Sequence, residues 1–203
     1  MVEFSLEDAA VFLPKYLSAD QQRGLYSELK NFPNSNFTFY DQSVRFKNDL
    51  LQGDGWKGLT AINFMSLDKK DISGIIISNS CDIDITNTRD FDINILFAPL
   101  VKLGDFRQLL LKSGQDPTAV ENKIHDIKRQ YNSSIFYLPE CPHVFEESIV
   151  LLDDIHRHPL SDFAQKKKTK LSTLTMAAFY LFLIKLSIHF HRVQENVPRQ
   201  IAS

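Results

Sequence analysis

The residues able to do chemistry crowd into one stretch, Ser78-Asn79-Ser80-Cys81-Asp82-Ile83-Asp84-Ile85-Thr86-Asn87-Thr88-Arg89-Asp90. Cys81 is its one thiol, and a nucleophilic thiolate needs a base or a cation beside it. The sequence neighbours of Cys81 are acids instead. That favours a plainer reading, a small buried Cys at a strand end whose following Asp82 caps a turn. Asp82, Asp84, Asp90 and Asp92 offer clustered oxygens of the kind hard cations take. They lack the spacing and the closing Glu of a calcium loop, so no metal is expected. Asn79, Ser80 and Arg89 remain as groups that could hold a ligand, with Arg89 the only cation of the loop. If the loop is catalytic at all, Cys81, Asp82 and Arg89 are the residues to carry it.

A second set lies far along the chain. Lys185, His189 and Arg192 are spaced i, i+4 and i+7, which puts them in one row on a helix. Such a row suits an anion or a nucleic acid, or is simply the helix's solvent face. The pairs His156/His158 and His189/His191 are spaced i, i+2 and point apart on a helix, so neither is a helical metal motif.

These groups need elements to position them. Gly74-Ile75-Ile76-Ile77 and Phe91 to Phe97 read as strands bracketing the polar loop. Trp56 to Phe64 reads as a strand entered from the turn Gln52-Gly53-Asp54-Gly55 and left through Asp68-Lys69-Lys70-Asp71. Short connections between these three favour an antiparallel meander. Asp105 to Lys112 and the segment from Pro117 carry helical periodicity. Ser134 to Pro139 and Ser148 to Leu152 return to strand character, giving a small sheet of about five strands. In front, Ser5-Leu6-Glu7-Asp8 and Ser18-Ala19-Asp20-Gln21 are helix starts of the capping-box type. Behind, Lys166-Lys167-Lys168-Thr169-Lys170 reads as a solvated linker into a long helix, Leu171 to Arg192, apolar all round from Met176 to Ile184. The organisation that follows is an N-terminal helical arm (1–35), a β-rich core (36–165) with a helical insertion near 104–131, and a C-terminal helix and tail (166–203).

Composition bounds the function. The chain has 203 residues, is 43% hydrophobic and 24% charged, and holds sixteen Phe against one Trp, so a soluble protein with an aromatic core is expected. A formal net charge of −2 argues against bulk electrostatic capture of nucleic acid. Two cysteines make neither a disulfide framework nor a zinc set. The opening Met1-Val2-Glu3-Phe4-Ser5 shows no secretory pattern, so a cytoplasmic location is expected. Lys185 interrupts the apolar helix short of the roughly 20 residues a bilayer needs, so no membrane partner is expected. No P-loop, GxGxxG, GxSxG or HExxH motif is present, and no cofactor is implied.

Three segments together carry a resemblance: Gln52-Gly53-Asp54, Gly74-Ile75-Ile76-Ile77-Ser78-Asn79-Ser80-Cys81-Asp82-Ile83, and Ile95-Leu96-Phe97-Ala98-Pro99-Leu100. They resemble a group of uncharacterised bacterial proteins whose closing helix is similar to Phe179–Phe190 here. More distantly, Gln52 to Leu103 is similar to the MazF/PemK family, SH3-like barrel toxins that cut RNA and pair with an antitoxin. Where that family has Arg-Pro before the Ile-rich strand this chain has Ser73-Gly74, and Lys102 stands in place of a threonine or serine. The elements read above, with this resemblance beside them, lead to an α+β protein: a small bent antiparallel barrel or sheet, SH3-like, with an N-terminal helical arm and a packed C-terminal helix. The function the resemblance implies is a cytosolic, non-catalytic module of a defence or toxin–antitoxin-like system. Its partner is a protein, or alternatively nucleic acid, bound through Asn79, Ser80, Arg89, Lys185, His189 and Arg192. The alternatives are a MazF-like endoribonuclease with Arg89, Asp82 and Ser80 near the cut phosphate, and a Cys81-dependent enzyme.

Overall fold

A computed structural model describes residues 18–32, 37–43, 45–63, 65–84, 86, 90–165 and 168–191. The chain is α+β. Its strands are β1 (Gly55–Ile62), β2 (Lys69–Ile76), β3 (Asn94–Lys102), β4 (Ile135–Leu138), β5 (Ser148–Leu151), β6 (His156–Pro159) and β7 (Thr169–Ser172). Its helices are α1 (Ala19–Asn31), α2 (Leu103–Lys112), α3 (Pro117–Lys128), α4 (Leu160–Gln165) and α5 (Met176–His191). The strands form one seven-stranded sheet in the order β4-β5-β3-β2-β1-β7, with β6 also paired to β3. Every pairing is antiparallel.

The expected meander β1–β2–β3 is present. Of the barrel or sheet of about five strands that was expected, the structure has a sheet, enlarged to seven strands by β6 and β7, and its ladder is not closed. Both are polar and only four residues long (His-Arg-His-Pro and Thr-Lys-Leu-Ser). The third strand begins at Asn94 rather than Phe91, whose ring is exposed.

Glycine shapes the sheet at two points. β1 shifts register between Lys57 and Leu59, and Gly58 sits in that bulge with φ +91°, a conformation other residues adopt only under strain. A Cβ on Gly74 would lie 2.7 Å from Phe97 Cδ2 and 2.8 Å from the Ala98 carbonyl, so only glycine lets β2 and β3 approach this closely.

Strand alternation sorts the core into layers. On one face Ile75, Ala98, Phe136 and Val150 pack beneath Leu174, Ala178, Phe182 and Leu186 of the C-terminal segment. On the other face, Tyr137 and Ile149 of the β4–β5 side meet Leu103, Leu110, Val120, Ile124 and Ile127 of α2 and α3. Toward β1 the same face curls over its own core of Trp56, Leu59, Ile76, Ile95 and Phe97. α1 carries the full capping box, with Ser18 Oγ accepting from Gln21 N–H and Gln21 Oε1 from Ser18 N–H. It lays Leu25 and Leu29 on Ala177, Tyr180 and Ile184 of α5. The helix expected from Ser5 lies outside the described residues. Among the described residues no helix is long and apolar enough to cross a membrane.

Candidate functional site

The polar loop after β2 is pinned at its start. Gln52 N–H donates to Ser80 Oγ at 2.9 Å, and Gln52 Nε2 donates to the Ile77 carbonyl at 2.7 Å. Leu96 N–H donates to Ser78 Oγ at 2.8 Å. Asn79 Oδ1 accepts from Cys81 N–H at 2.9 Å and the Asn79 carbonyl accepts from Asp82 N–H at 3.0 Å, a local turn. Ile83 then plugs the curled core and is 1% exposed. Asn79, Ser80, Cys81 and Asp82 are thus brought together, and the oxygens of Asn79 and Ser80 are engaged in shaping the turn. Cys81 is exposed, which corrects the expectation of a buried thiol; the buried cysteine is Cys141. The Asn79 side chain caps the turn. Asp84 accepts from Thr86 N–H and Oγ1, both at 2.8 Å, and these bonds hold its carboxyl below the usual range. Arg89 lies outside the described residues. Among the described residues no group of three or more His, Cys, Asp or Glu side chains could hold a metal ion.

The row on the last helix is not one surface. Lys185 is 4% exposed and donates to the Gln130 carbonyl at 2.5 Å. Gln130, at φ +63°, closes the C-terminal turn of α3, so this ammonium caps the negative end of that helix. Burial pulls its pKa down to about 7. His189 is half-buried beside the Phe190 ring, and Arg192 lies outside the described residues. Lys185 therefore sits at the β4 side of the molecule, while the Cys81 loop hangs from β2, three strands away in the sheet order.

What the sequence did not single out is a groove of about 680 Å3 across the open part of the sheet. Its floor holds Ser73, Leu100 and Leu171; its far wall is the β4–β5 connection with Glu140, His143 and Val144. A narrower extension reaches the β7 edge past Lys57 and Thr169. The wall is anchored by Tyr40, which donates to the Pro139 carbonyl at 2.6 Å and meets Phe145 edge-on at 5.6 Å. His143, exposed at the tip, holds φ +63°, a strained conformation for a residue with a side chain. In the main groove the charges balance: Lys57, Lys70 and Lys102 stand with Asp71, Glu140 and Glu146, and Lys102 and Glu146 pair at 2.7 Å; Lys170, which lines the extension, is paired with the buried Asp54 at 2.8 Å. The Pro139/Pro142 turn residues around His143 were the only sequence signal for this wall.

A buried polar cluster lies on the opposite side of β1. His158 is 2% exposed. Its Nδ1 accepts from Thr60 N–H at 3.2 Å, and its Nε2 lies 2.9 Å from Asp162 Oδ2. The neutral ring therefore carries its proton on Nε2. Lys168 lies 3.6 Å from the same carboxylate oxygen and donates to the Gly58 carbonyl. With Nδ1 engaged by a backbone amide, this His–Asp pair is not arranged as a general base for a nucleophile.

Comparison with known proteins adds no family: no family model matches the chain, and no curated protein matches it.

Proposed function

We propose that the protein is a non-catalytic module that takes an extended segment of a partner polypeptide into the groove over β1, β2 and β7. The observation that carries this reading is the groove's charge balance above an apolar floor of Leu100 and Leu171. Nucleic-acid surfaces gather positive charge, because phosphate neutralisation supplies most of their affinity. Three lysines set against three carboxylates, with Lys170 of the extension held by Asp54, offer no such excess, whereas a mixed polar rim round an apolar centre suits a polypeptide. The engagement of His158 Nδ1 and Ser80 Oγ by backbone amides supports the absence of catalysis. The setting, a cytoplasmic bacterial defence or toxin–antitoxin-like pairing, rests on the resemblance of Gln52–Leu103 alone. So does an SH3-like description of the curled half, with β6 turning back toward β1 in its support.

The test pairs two exposed positions, Lys57→Glu with Val144→Asp, in a tagged protein. The expected result is a bacterial partner retained by wild type and lost by the double variant at unchanged melting temperature. A short random-sequence single-stranded RNA should not be retained at physiological salt. RNA retention that the Lys57 change abolishes would replace this reading with nucleic-acid binding, and RNA cleavage would replace it with the endoribonuclease.

A further inference from the structure

β6 pairs with β3 over four residues, Asn94↔Pro159 to Phe97↔His156, yet the sheet curls so far that β6 also meets β1. No ladder joins that second edge. Side chains reach β1 here instead: from β6 His158 takes the amide of Thr60, and from the lead-in to β7 Lys168 takes the carbonyl of Gly58. Leu59, between these two residues, is fully buried in the core behind the seam.

We infer that this seam is an acid-sensitive latch, in which protonation of His158 at Nδ1 opposes the Thr60 amide and parts β6 from β1. An imidazolium has two N–H donors and no acceptor, so the Thr60 hydrogen bond cannot survive it. The charged groups facing the ring among the described residues come from each neighbouring element. Asp162 of α4 lies at Nε2 and favours the cation. Lys168 stands beside that carboxylate and offsets it. From the β1–β2 side Asp71 is reached only through Thr60, whose Oγ1 donates to it at 3.0 Å. His156, one turn of the pleat back, lies 3.1 Å from Asp154. The cross-strand neighbour Ile95 and the edge-on Phe163 ring are apolar. The Thr60 amide meets Nδ1 as a donor, so that hydrogen bond exists only with the unprotonated nitrogen.

A reporter is built in. Trp56 is the single tryptophan of the chain, is buried, and meets Phe163 of α4 edge-on at 4.9 Å. The experiment follows Trp56 emission and far-UV circular dichroism on the whole protein from about pH 8 to pH 5, across the histidine range. The expected result is a red shift of the emission on acidification within that range while the dichroism is unchanged. His158→Gln, whose amide can still accept from Thr60 and donate to Asp162, should show no transition. Asp162→Asn, which removes the group favouring the cation, should move the midpoint to lower pH. Constant emission in the folded wild type, or the same transition in folded His158→Gln, overturns the latch. Should His158→Gln not fold, an unmoved midpoint in Asp162→Asn overturns it equally.

Discussion

The two halves of the sheet are built by different means. Around β4 and β5 both faces are roofed by helix, with α5 on one side and α2 and α3 on the other, and all but one residue of these strands is buried. Around β1, β2 and β6 the sheet covers itself, and polar side chains hold it. Lys170 donates to the carbonyls of Phe46 and Asp49 and pairs with Asp54 at 2.8 Å, while His158 and Lys168 bridge to the bulge. Apolar packing is non-directional and tolerant, whereas polar closure depends on each partner being present. The half that needs every partner also carries the groove, the polar loop and the latch.

This contrast can be broken with core changes. Phe136 is fully buried against Phe182, ring centroids 5.1 Å apart, and Phe136→Ala should cost about 3–5 kcal/mol in a denaturant titration. Ile95→Ala, equally buried in the curled core, should cost about 2–5 kcal/mol. A loss under about half a kcal/mol at Ile95 would show that the curled half lacks a real core.

The polar closure is tested at the Asp54–Lys170 pair, 1% and 12% exposed at the side chain. Burial raises the pKa of Asp54, and the Lys170 ammonium only partly offsets this. Removing one partner leaves a buried charge, so Asp54→Leu alone should cost about 3–5 kcal/mol. Asp54→Leu with Lys170→Met should cost clearly less than the two single changes summed. Additive costs would mean the ions do not act as a pair.

Lys185 gives the helix-backed half a pH signature of its own. Its folded pKa of about 7 lies below the ordinary lysine value, so the unfolded chain binds the extra proton and stability rises with pH above 7. Between pH 7 and 8.5 the gain should be about 1.5 kcal/mol. Urea melts at both values should show it in wild type and not in Lys185→Met, and equal slopes in the two proteins would refute the assignment. The smallest effect is expected at Cys81. Being exposed in a turn set by Asn79, Cys81→Ser should move stability by under about 0.5 kcal/mol and leave partner binding intact. Lost binding at full stability would return the thiol to the centre of the function.

Much of the helix-backed half was legible because apolar periodicity specifies it: the spacing of Val120, Ile124 and Ile127, or the run Ile135-Phe136-Tyr137-Leu138, says what packs inward. The curled half was less so. β6 receives no element from the sequence, and β7 is divided between a solvated Lys-rich linker and a helix starting at Leu171, because the partners lie far off: Lys168 and Lys170 find theirs on Gly58, Phe46, Asp49 and Asp54. Lys185 shows a different limit. Helical spacing fixes which residues share a row, not which way the row faces when its neighbours are apolar. The groove draws on β1, β2, β3, β7 and one connection, so no local pattern announces it.

The pairing of β1 with β7 also sets a timetable for the chain as it is made. The contact between Lys168 and Gly58 spans 110 residues, and Phe182, which covers Phe136, comes later still. At about 5–20 residues per second, ribosomes need roughly 5–20 s to deliver the second partner after the first. Until α5 follows, Ile75, Ala98 and Val150 lack the side chains that cover them, so a nascent chain stalled before α5 should be a strong client for chaperones.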